Sequence, residues 1–353
     1  MNFLWRWIKR GMLALIVLVL LLLAPVGYTH FACRGDAVET ANTPVIDAEH
    51  HRAPAATYLT YPEWHIVFAY DDYARVIAEQ DPHSFGYIKA ISGFWGALCN
   101  LTEVSDAAGG APETQRMVYV IGVSFTAELL AKAAYEETIG RLVALFRGTD
   151  RAAADDTSAQ QARDYADFLH QVPWYKYDFD ADAGELSETG DGFRNRERRF
   201  ALGLEYGVKQ AYAGVIAKAV EAVGPADLTI RSVVTGIPVE ELRDLGDVTI
   251  IAAMPDGVQI ETPRYAAFTE LLEKIAASDG QIVEIAGNTR IMVTITGDEA
   301  PPALTYGTVL AELQRQGYND TRWLLDLPLN RLADLINILE ATDSARLEHI
   351  FDY

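Results

Sequence analysis

The dominant pattern in the sequence is an uninterrupted apolar run near its start. Residues 11–33 contain no Asp, Glu, Lys or Arg over 23 positions, and Leu, Val and Ile are dense in residues 13–23. A helix of this length measures about 34 Å, slightly more than a hydrocarbon core of about 30 Å. Residues 1–33 are therefore predicted to form a cytoplasmic stub and a transmembrane anchor.

Charged residues beside the run predict its orientation. Arg6, Lys9 and Arg10 precede it. Trp5 and Trp7 lie where interfacial aromatic residues are found. Because basic residues stay on the cytoplasmic side, the rest of the chain is expected to be exported.

Two other interpretations of the run stay open. A cleaved signal peptide has the same charged start, but residues 24–32 contain no clean A-x-A cleavage site. A lipoprotein site would need small residues where His30 and Phe31 stand. Later uncharged runs at residues 90–101 and 117–127 are only 12 and 11 residues long, so a single span is predicted.

The chain after the anchor begins with a predicted linker and a predicted helical domain. Residues 34–57 combine Gly, Pro and Ala without periodicity, as linkers do. Residues 58–223 carry apolar positions at helical spacing, and Thr60 with Glu63 matches a capping box. The predicted helices cover residues 60–80, 85–101, 113–147, 151–170 and 193–223, with an acidic loop at residues 184–192.

Residues 224–353 mix strand and helix patterns. The predicted strands cover residues 228–234, 248–254, 258–261, 281–285, 290–296 and 323–327, and the predicted helices cover residues 265–275, 305–316 and 332–339. Asp256 and Gly257 predict a two-residue hairpin turn. From residue 258 the order strand, helix, strand, strand, helix, strand is the ferredoxin-like split arrangement. The predicted fold class is α+β: a transmembrane helix, a helical domain and a ferredoxin-like α+β domain.

Composition excludes several classes of protein. The 353 residues include 50 acidic and 29 basic side chains, a formal charge of −21, and half of the residues are apolar. This apolar content argues against a disordered chain, and the negative charge argues against nucleic acid as a partner. Two cysteines cannot build a disulfide scaffold. In an oxidising compartment Cys33 could pair with Cys99, and otherwise Cys99 is a buried structural thiol.

Motifs for common catalytic and metal sites are missing from the sequence. It contains no H-E-x-x-H, no G-x-S-x-G and no phosphate-binding G-x-x-x-x-G-K. Asp47, Glu49, His50 and His51 have metal-ligand side chains but fall in the predicted linker, where no rigid element would hold them. No metal and no cofactor is therefore predicted.

Two groups of residues are weak candidates for catalysis. Glu63 and His65 lie two positions apart on the first helix, so their side chains point to different sides. Glu128 and Lys132 form, with Glu136, a stripe at i, i+4 spacing. A stripe facing water is a helix-supporting ladder, which is the favoured interpretation, whereas a stripe facing inward is a buried charge network with shifted pKa values. Tyr206 is the candidate tyrosine on the later helix.

One segment is a weak candidate for binding. Trp174, Tyr175 and Tyr177 crowd a segment between two helices. Exposed rings would form a platform for a sugar, a peptide or a protein, whereas buried rings would cover the helical core. Arg196 belongs to a basic cluster near the start of the last long helix, which could hold an anion or pair with the acidic residues before it.

Three short segments carry a resemblance to a known family. They are Thr60-Tyr61-Pro62-Glu63-Trp64, Ser124-Phe125-Thr126 followed by Glu128, and Glu348-His349-Ile350-Phe351-Asp352-Tyr353. The sequence resembles a family of bacterial single-span membrane proteins that has no assigned function. The resemblance implies a bacterial envelope setting and no catalytic residues. With the anchor and orientation predicted above, the expected location is the bacterial inner membrane, with the C-terminal domain in the periplasm.

Two functions from different classes are compatible with these patterns. The favoured hypothesis is a membrane-anchored envelope protein, held by residues 11–33, whose exported part binds an envelope protein partner. The alternative is an envelope hydrolase in which carboxylates and tyrosines such as Glu63, Glu128 and Tyr206 perform acid–base chemistry.

Overall fold

The chain begins with a long apolar helix. The computed structural model describes residues 2–36, 43–147, 150–223, 228–255 and 257–352. Helix α1 covers Asn2–Ala32, and its stretch Trp5–Ala32 has a mean hydropathy of 2.5 in its most apolar window, none of which is buried. This helix is long and apolar enough to span a membrane.

Eight further helices form the region that follows. They are α2 Pro54–Tyr58, α3 Tyr61–Glu79, α4 Tyr87–Ala107, α5 Pro112–Tyr135, α6 Arg141–Arg147, α7 Ala153–Leu169, α8 Phe179–Ser187 and α9 Phe193–Val223. One π-helical turn, Glu136–Gly140, joins α5 to α6. The continuous helix Pro112–Arg147 is also long and apolar enough to cross a membrane, with 39% of its most apolar window buried. Core helices of soluble proteins pass the same test of length and composition, so this helix does not contradict the predicted single span.

The start of α3 differs from the predicted capping box. The short helix α2 already places Thr60 in a helical conformation. The Thr60 hydroxyl therefore donates back to the carbonyl of Thr57 at 2.7 Å and does not cap the helix.

The predicted loop at residues 184–192 was wrong over its first residues, which belong to α8. Asp178 accepts a hydrogen bond from the backbone N–H of Ala181 at 3.0 Å and so caps this helix. Phe179 and Leu186 are buried in a core cluster, and their burial stabilises the helix despite its acidic sequence.

Residues 43–57 are held against the C-terminal region, unlike the free linker that was predicted. The backbone N–H groups of Val45 and Ile46 donate to the Glu284 carboxylate at 2.7 and 2.9 Å. Further along, the Arg52 N–H donates to the carbonyl of Ala286 at 2.9 Å. These bonds fix the segment that leads into α2.

The C-terminal region contains two four-stranded antiparallel sheets. The strands are β1 Thr229–Thr235, β2 Thr249–Met254, β3 Gly257–Pro263, β4 Gln281–Ile285, β5 Arg290–Gly297, β6 Thr308–Gln314, β7 Thr321–Pro328 and β8 Ala345–Ile350. The helices are α10 Val239–Asp244, α11 Ala266–Ala277 and α12 Leu332–Glu340. The strand orders are β2-β3-β1-β4 and β6-β7-β5-β8, so the region is α+β.

One predicted helix is a strand. Residues 305–316 were predicted to be helical, but β6 covers Thr308–Gln314 and pairs with β7. Ala, Leu, Glu and Gln favour helix locally, and pairing along an existing strand overrides that preference. The predicted hairpin is present, because Met254 pairs with Gly257; Asp256 itself lies outside the described residues.

Two of the segments that carry the family resemblance meet between the helical region and the second sheet. The rings of Trp64 and His349 lie 3.6 Å apart between centroids, and those of Tyr61 and Phe351 lie 5.7 Å apart. Asp352 accepts a hydrogen bond from the Arg264 guanidinium at 2.9 Å. These contacts connect α3 to the end of the chain.

Candidate functional site

Four charged residues converge between α5 and α9. Lys132 donates to Glu205 at 2.9 Å, and Lys209 contacts Glu128 at 2.9 Å and Glu205 at 3.0 Å. Glu128 on α5 contacts Lys209 on α9, whereas Lys132, one turn later on α5, contacts Glu205, one turn earlier on α9. The two helices therefore run antiparallel. The i, i+4 spacing places each charged pair on one face of its helix.

Aromatic residues of α3 and α7 surround the two lysines. The Tyr70 hydroxyl donates to Glu128 at 2.5 Å and accepts from Lys209 at 3.1 Å. Lys132 lies 4.4 Å from the centroid of the Tyr73 ring, and Lys209 lies 5.0 Å from that of Tyr165. The ammonium groups therefore have both carboxylates and ring faces as partners.

The charged contacts continue toward the start of α9. Arg198 donates to Glu136 at 2.8 Å and to Glu197, and Tyr135 donates to Glu197 at 2.6 Å. Arg194 contacts Asp155 at 2.8 Å. We call the set Glu128, Lys132, Glu136, Glu205, Lys209 and Arg198 the ionic cluster.

Most of the ionic cluster is buried, and its most exposed member, Glu128, is 30% exposed, so the prediction of a solvated stripe was wrong. The side chains of Lys132, Lys209 and Glu136 are only 13%, 12% and 8% exposed. The charges of α5 can be buried here because α9 places charges of opposite sign beside them at the same i, i+4 spacing. The Glu205 and Lys209 pair on α9 was the sequence signal for an inward orientation.

Electrostatics keep Glu205 and Lys209 charged near neutral pH. Burial alone would raise the pKa of Glu205, but the two lysines beside it lower that pKa to about 2. Burial alone would lower the pKa of Lys209, but Glu128, Tyr70 and Glu205 raise it well above its ordinary value. A lysine acting as a base or nucleophile needs a lowered pKa, so Lys209 has the opposite property.

The other catalytic candidates are separated from one another. Glu63 is exposed on the first turn of α3, whereas His65 is buried. The Nε2 atom of His65 lies 3.0 Å from the Ala90 carbonyl oxygen, and burial lowers the pKa of this histidine to about 4. Tyr206 is buried and donates to the Gln161 side chain at 3.0 Å. None of these side chains forms an acid–base pair with another.

The aromatic segment is packed against helices. The Tyr177 ring lies 4.8 Å from that of Tyr165, and the Trp174 ring lies 5.3 Å from that of Tyr212. Trp174, Tyr177 and Tyr175 are each half-buried, which fits core covering better than an open platform. Arg196 is exposed.

The two cysteines are joined by a disulfide. The sulfur atoms of Cys33 and Cys99 are 1.97 Å apart. This bond fastens the end of α1 to the middle of α4. The Arg34 guanidinium adds a contact to Asp106 at 3.4 Å on the same helix.

A cleft that the sequence analysis missed lies beside the second sheet. Its volume is about 570 Å³, and it is open to solvent between the 43–58 segment and the strands β5 and β7. The lining residues that carry polar side chains are His51, Arg52, Thr57, Tyr58, Asn288, Thr289, Arg290 and Asp326. These residues come from distant parts of the chain, so no local sequence motif predicts the cleft.

Charge and turn geometry shape this cleft. Arg290 donates to Asp326 at 2.9 and 2.7 Å, and burial raises the pKa of Asp326. Burial and Asp326 raise the pKa of Tyr58 to about 12. Gly287 has φ +82°, and a Cβ there would lie 2.8 Å from the His51 ring, so glycine is needed at this wall.

Within the described ranges, no group of three His, Cys, Asp or Glu side chains is placed to hold a metal ion. His50 lies 3.2 Å from Glu49, and His51 contacts the carbonyl oxygen of Ile46 at 2.7 Å.

No protein family matches the chain, and no curated protein or solved structure shows significant similarity to it.

Proposed function

We propose that this protein is a single-pass protein of the bacterial inner membrane whose exported part is a binding module in the periplasm. Three features support the proposal: the unburied apolar helix α1, the basic residues that precede its apolar run, and the Cys33–Cys99 disulfide. Disulfides persist in oxidising compartments such as the periplasm.

The solvent-open cleft carries the proposal of binding. Pockets of about 300–1,000 Å³ with a few convergent polar groups are the usual sites for ligands. The cleft of about 570 Å³ falls in this range and presents the Arg290 and Asp326 pair at its wall. We propose that it takes a segment of an envelope protein partner.

The hydrolase alternative has less support. Hydrolysis by acid–base chemistry needs groups with a pKa near the working pH. Glu205 and Lys209 have pKa values displaced away from neutrality, and Glu128 is bonded to Tyr70 and Lys209. We propose that the ionic cluster holds α5 and α9 together.

We also propose that the C-terminal region consists of two ferredoxin-like units in tandem. The sheets β2-β3-β1-β4 and β6-β7-β5-β8 have equivalent strand orders, and α11 and α12 occupy equivalent places in the chain. Many unrelated functions occur on this fold, so the fold does not bear on the activity.

Crosslinking in intact membranes tests the binding proposal. The full chain is treated with a cleavable crosslinker, purified and analysed for bound proteins. We expect a recurrent partner with the natural chain and a loss of most of that partner with Arg290→Glu, because the reversed charge repels Asp326 and alters the cleft.

Arg331→Glu is the matched control for this experiment. Arg331 is also exposed and also contacts an aspartate, Asp334 at 3.7 Å, but it does not line the cleft. Recovery of no recurrent partner, or equal recovery with both variants, would contradict binding at the cleft.

A further inference from the structure

An uncharged surface extends along α5 and α9 on the side away from the core. On α9 its large members are Phe200, Leu204, Val208 and Val215, which are 69%, 64%, 62% and 61% exposed. On α5 its large members are Met117 and Val120, which are 51% and 62% exposed. We call this surface the α5–α9 face. Exposed apolar surfaces of this extent mark contacts with other molecules or with a membrane.

The smaller residues of the face are also uncharged. On α5, Ser124, Ala127, Ala131 and Ala134 are the exposed positions between Val120 and the π-helical turn. On α9, the further exposed positions from residue 200 to residue 215 are Gly207, Ala211, Tyr212 and Gly214. Residues 117–134 thus form about 27 Å of helix in which the two charged side chains, Lys132 and Glu128, are 13% and 30% exposed.

Charged residues lie at both ends of the α5–α9 face. Arg116 and Lys218 are exposed at one end, and Glu137 and Arg141 are exposed at the other. The ionic cluster lies beneath the face, at the floor of a groove of about 460 Å³ that Leu204 and other α9 residues line. Helices that rest in a membrane interface likewise combine an apolar face with charged residues outside that face.

The anchor helix packs beside the α5–α9 face. The ring of His30 on α1 lies 6.2 Å from that of Tyr119 on α5, and Val26 packs against the same helical core. The disulfide at Cys33 fixes this arrangement. Tyr28 and Phe31 on α1 are 65% and 80% exposed, so α1 has exposed aromatic side chains near the end that packs on α5.

We propose that the α5–α9 face lies against the lipid acyl chains of the membrane that holds α1. The exported part then contacts the bilayer at a second place, in addition to residues 11–33. This contact removes exposed apolar side chains from water, a gain of roughly 25 cal/mol per Å² of surface. The inference rests on the proposed anchor, because only a membrane-held α1 keeps the face beside lipid.

Collision measurements on spin labels test this proposal. The full chain is placed in phospholipid nanodiscs with one nitroxide label at Leu204→Cys, Val208→Cys or Val120→Cys. The natural cysteines are bonded to each other and do not react with the label. Oxygen concentrates in lipid and a nickel chelate in water, so the ratio of their collision rates reports the surroundings of each label.

Two reference labels complete the design. Leu15→Cys lies on the exposed apolar part of α1, and Glu240→Cys lies on α10, where the Glu240 side chain is 83% exposed. The labelled positions are exposed, so each substitution should leave the folded structure intact. Three positions on the face guard against a defect in any one variant.

We expect the labels at Leu204, Val208 and Val120 to follow Leu15, with oxygen collisions exceeding nickel collisions, and Glu240 to show the reverse. An excess of nickel collisions at the face would overturn the proposal. Protection of the face from both reagents, as expected under a second copy or a protein partner, would also overturn it. A label at Leu15 that reports water would instead refute the anchor, so the two failures are distinguishable.

Discussion

Lys209 contacts two carboxylates and three aromatic rings while its side chain is only 12% exposed. A buried ion pair contributes little net stability compared with well-packed apolar residues, but removal of one partner leaves an uncompensated buried charge. Each member of the ionic cluster therefore compensates the buried charge of its neighbours. This property predicts large effects from single substitutions.

Lys209→Met should destabilise the folded chain by about 3 kcal/mol, because Glu128 and Glu205 would then share Lys132 alone. The measurement is urea unfolding of the detergent-solubilised full chain, followed by tryptophan fluorescence. Lys218→Met, an exposed lysine on the same helix, is the control and should change stability by less than about 0.5 kcal/mol. Equal effects of the two substitutions would contradict a buried ionic cluster.

The pKa of Glu205 predicts a pH dependence. Its folded-state pKa of about 2 lies below the ordinary value of 4.5. The stability that this carboxylate contributes is thus fully present above pH 4.5 and is lost as the pH falls toward 2. The difference in unfolding free energy between the natural chain and Glu205→Gln should therefore shrink between pH 7 and pH 3. A difference that stays constant over this pH range would argue against the ion pairs.

At the scale of elements, the long helices were predictable and the pairing of short segments was not. Helix α9 begins at Phe193 and ends at Val223, as predicted, because its helical pattern is uninterrupted over 31 residues. Strand β6 was missed because its residues favour helix and only β7 makes them a strand. Strand β8 was missed because Arg346, Glu348 and His349 interrupt its apolar pattern.

The residues of the candidate site were likewise predictable only in part. The i, i+4 stripe on α5 was visible in the sequence. The same spacing is compatible with a solvated ladder and with a buried charge network, and only the position of α9 decides between these two structures. The cleft beside Arg290 was not predictable, because its residues are brought together by the docking of residues 43–57 on the second sheet.

The disulfide between α1 and α4 gives a prediction for these elements. Cys33 and Cys99 are 66 positions apart, and closing a loop of this length stabilises a folded chain by about 4 kcal/mol. Cys33→Ser/Cys99→Ser should lower the unfolding free energy by up to this amount. Single Cys99→Ser should expose one thiol to a maleimide reagent in unfolded, unreduced samples. Two reactive thiols in the unreduced natural chain would show that the bond is not formed.

At the scale of the whole molecule, the proposals describe one arrangement. In this proposed arrangement helix α1 anchors the chain in the membrane, and the α5–α9 face rests beside it on the acyl chains. Contacts between α3 and the second sheet, such as Trp64 on His349, connect the C-terminal sheets to the anchored helices. The cleft at Arg290 is then presented on the exported side of the membrane.

Export of the C-terminal part across the membrane can be tested with two fusion reporters. Alkaline phosphatase, which is active only after export, is fused behind the last residue of the chain, and green fluorescent protein, which is fluorescent only in the cytoplasm, is fused there in a parallel strain. We predict active phosphatase and no fluorescence, with both fusions intact and in the membrane fraction. Fluorescence with inactive phosphatase would place the C-terminal part in the cytoplasm and contradict the account.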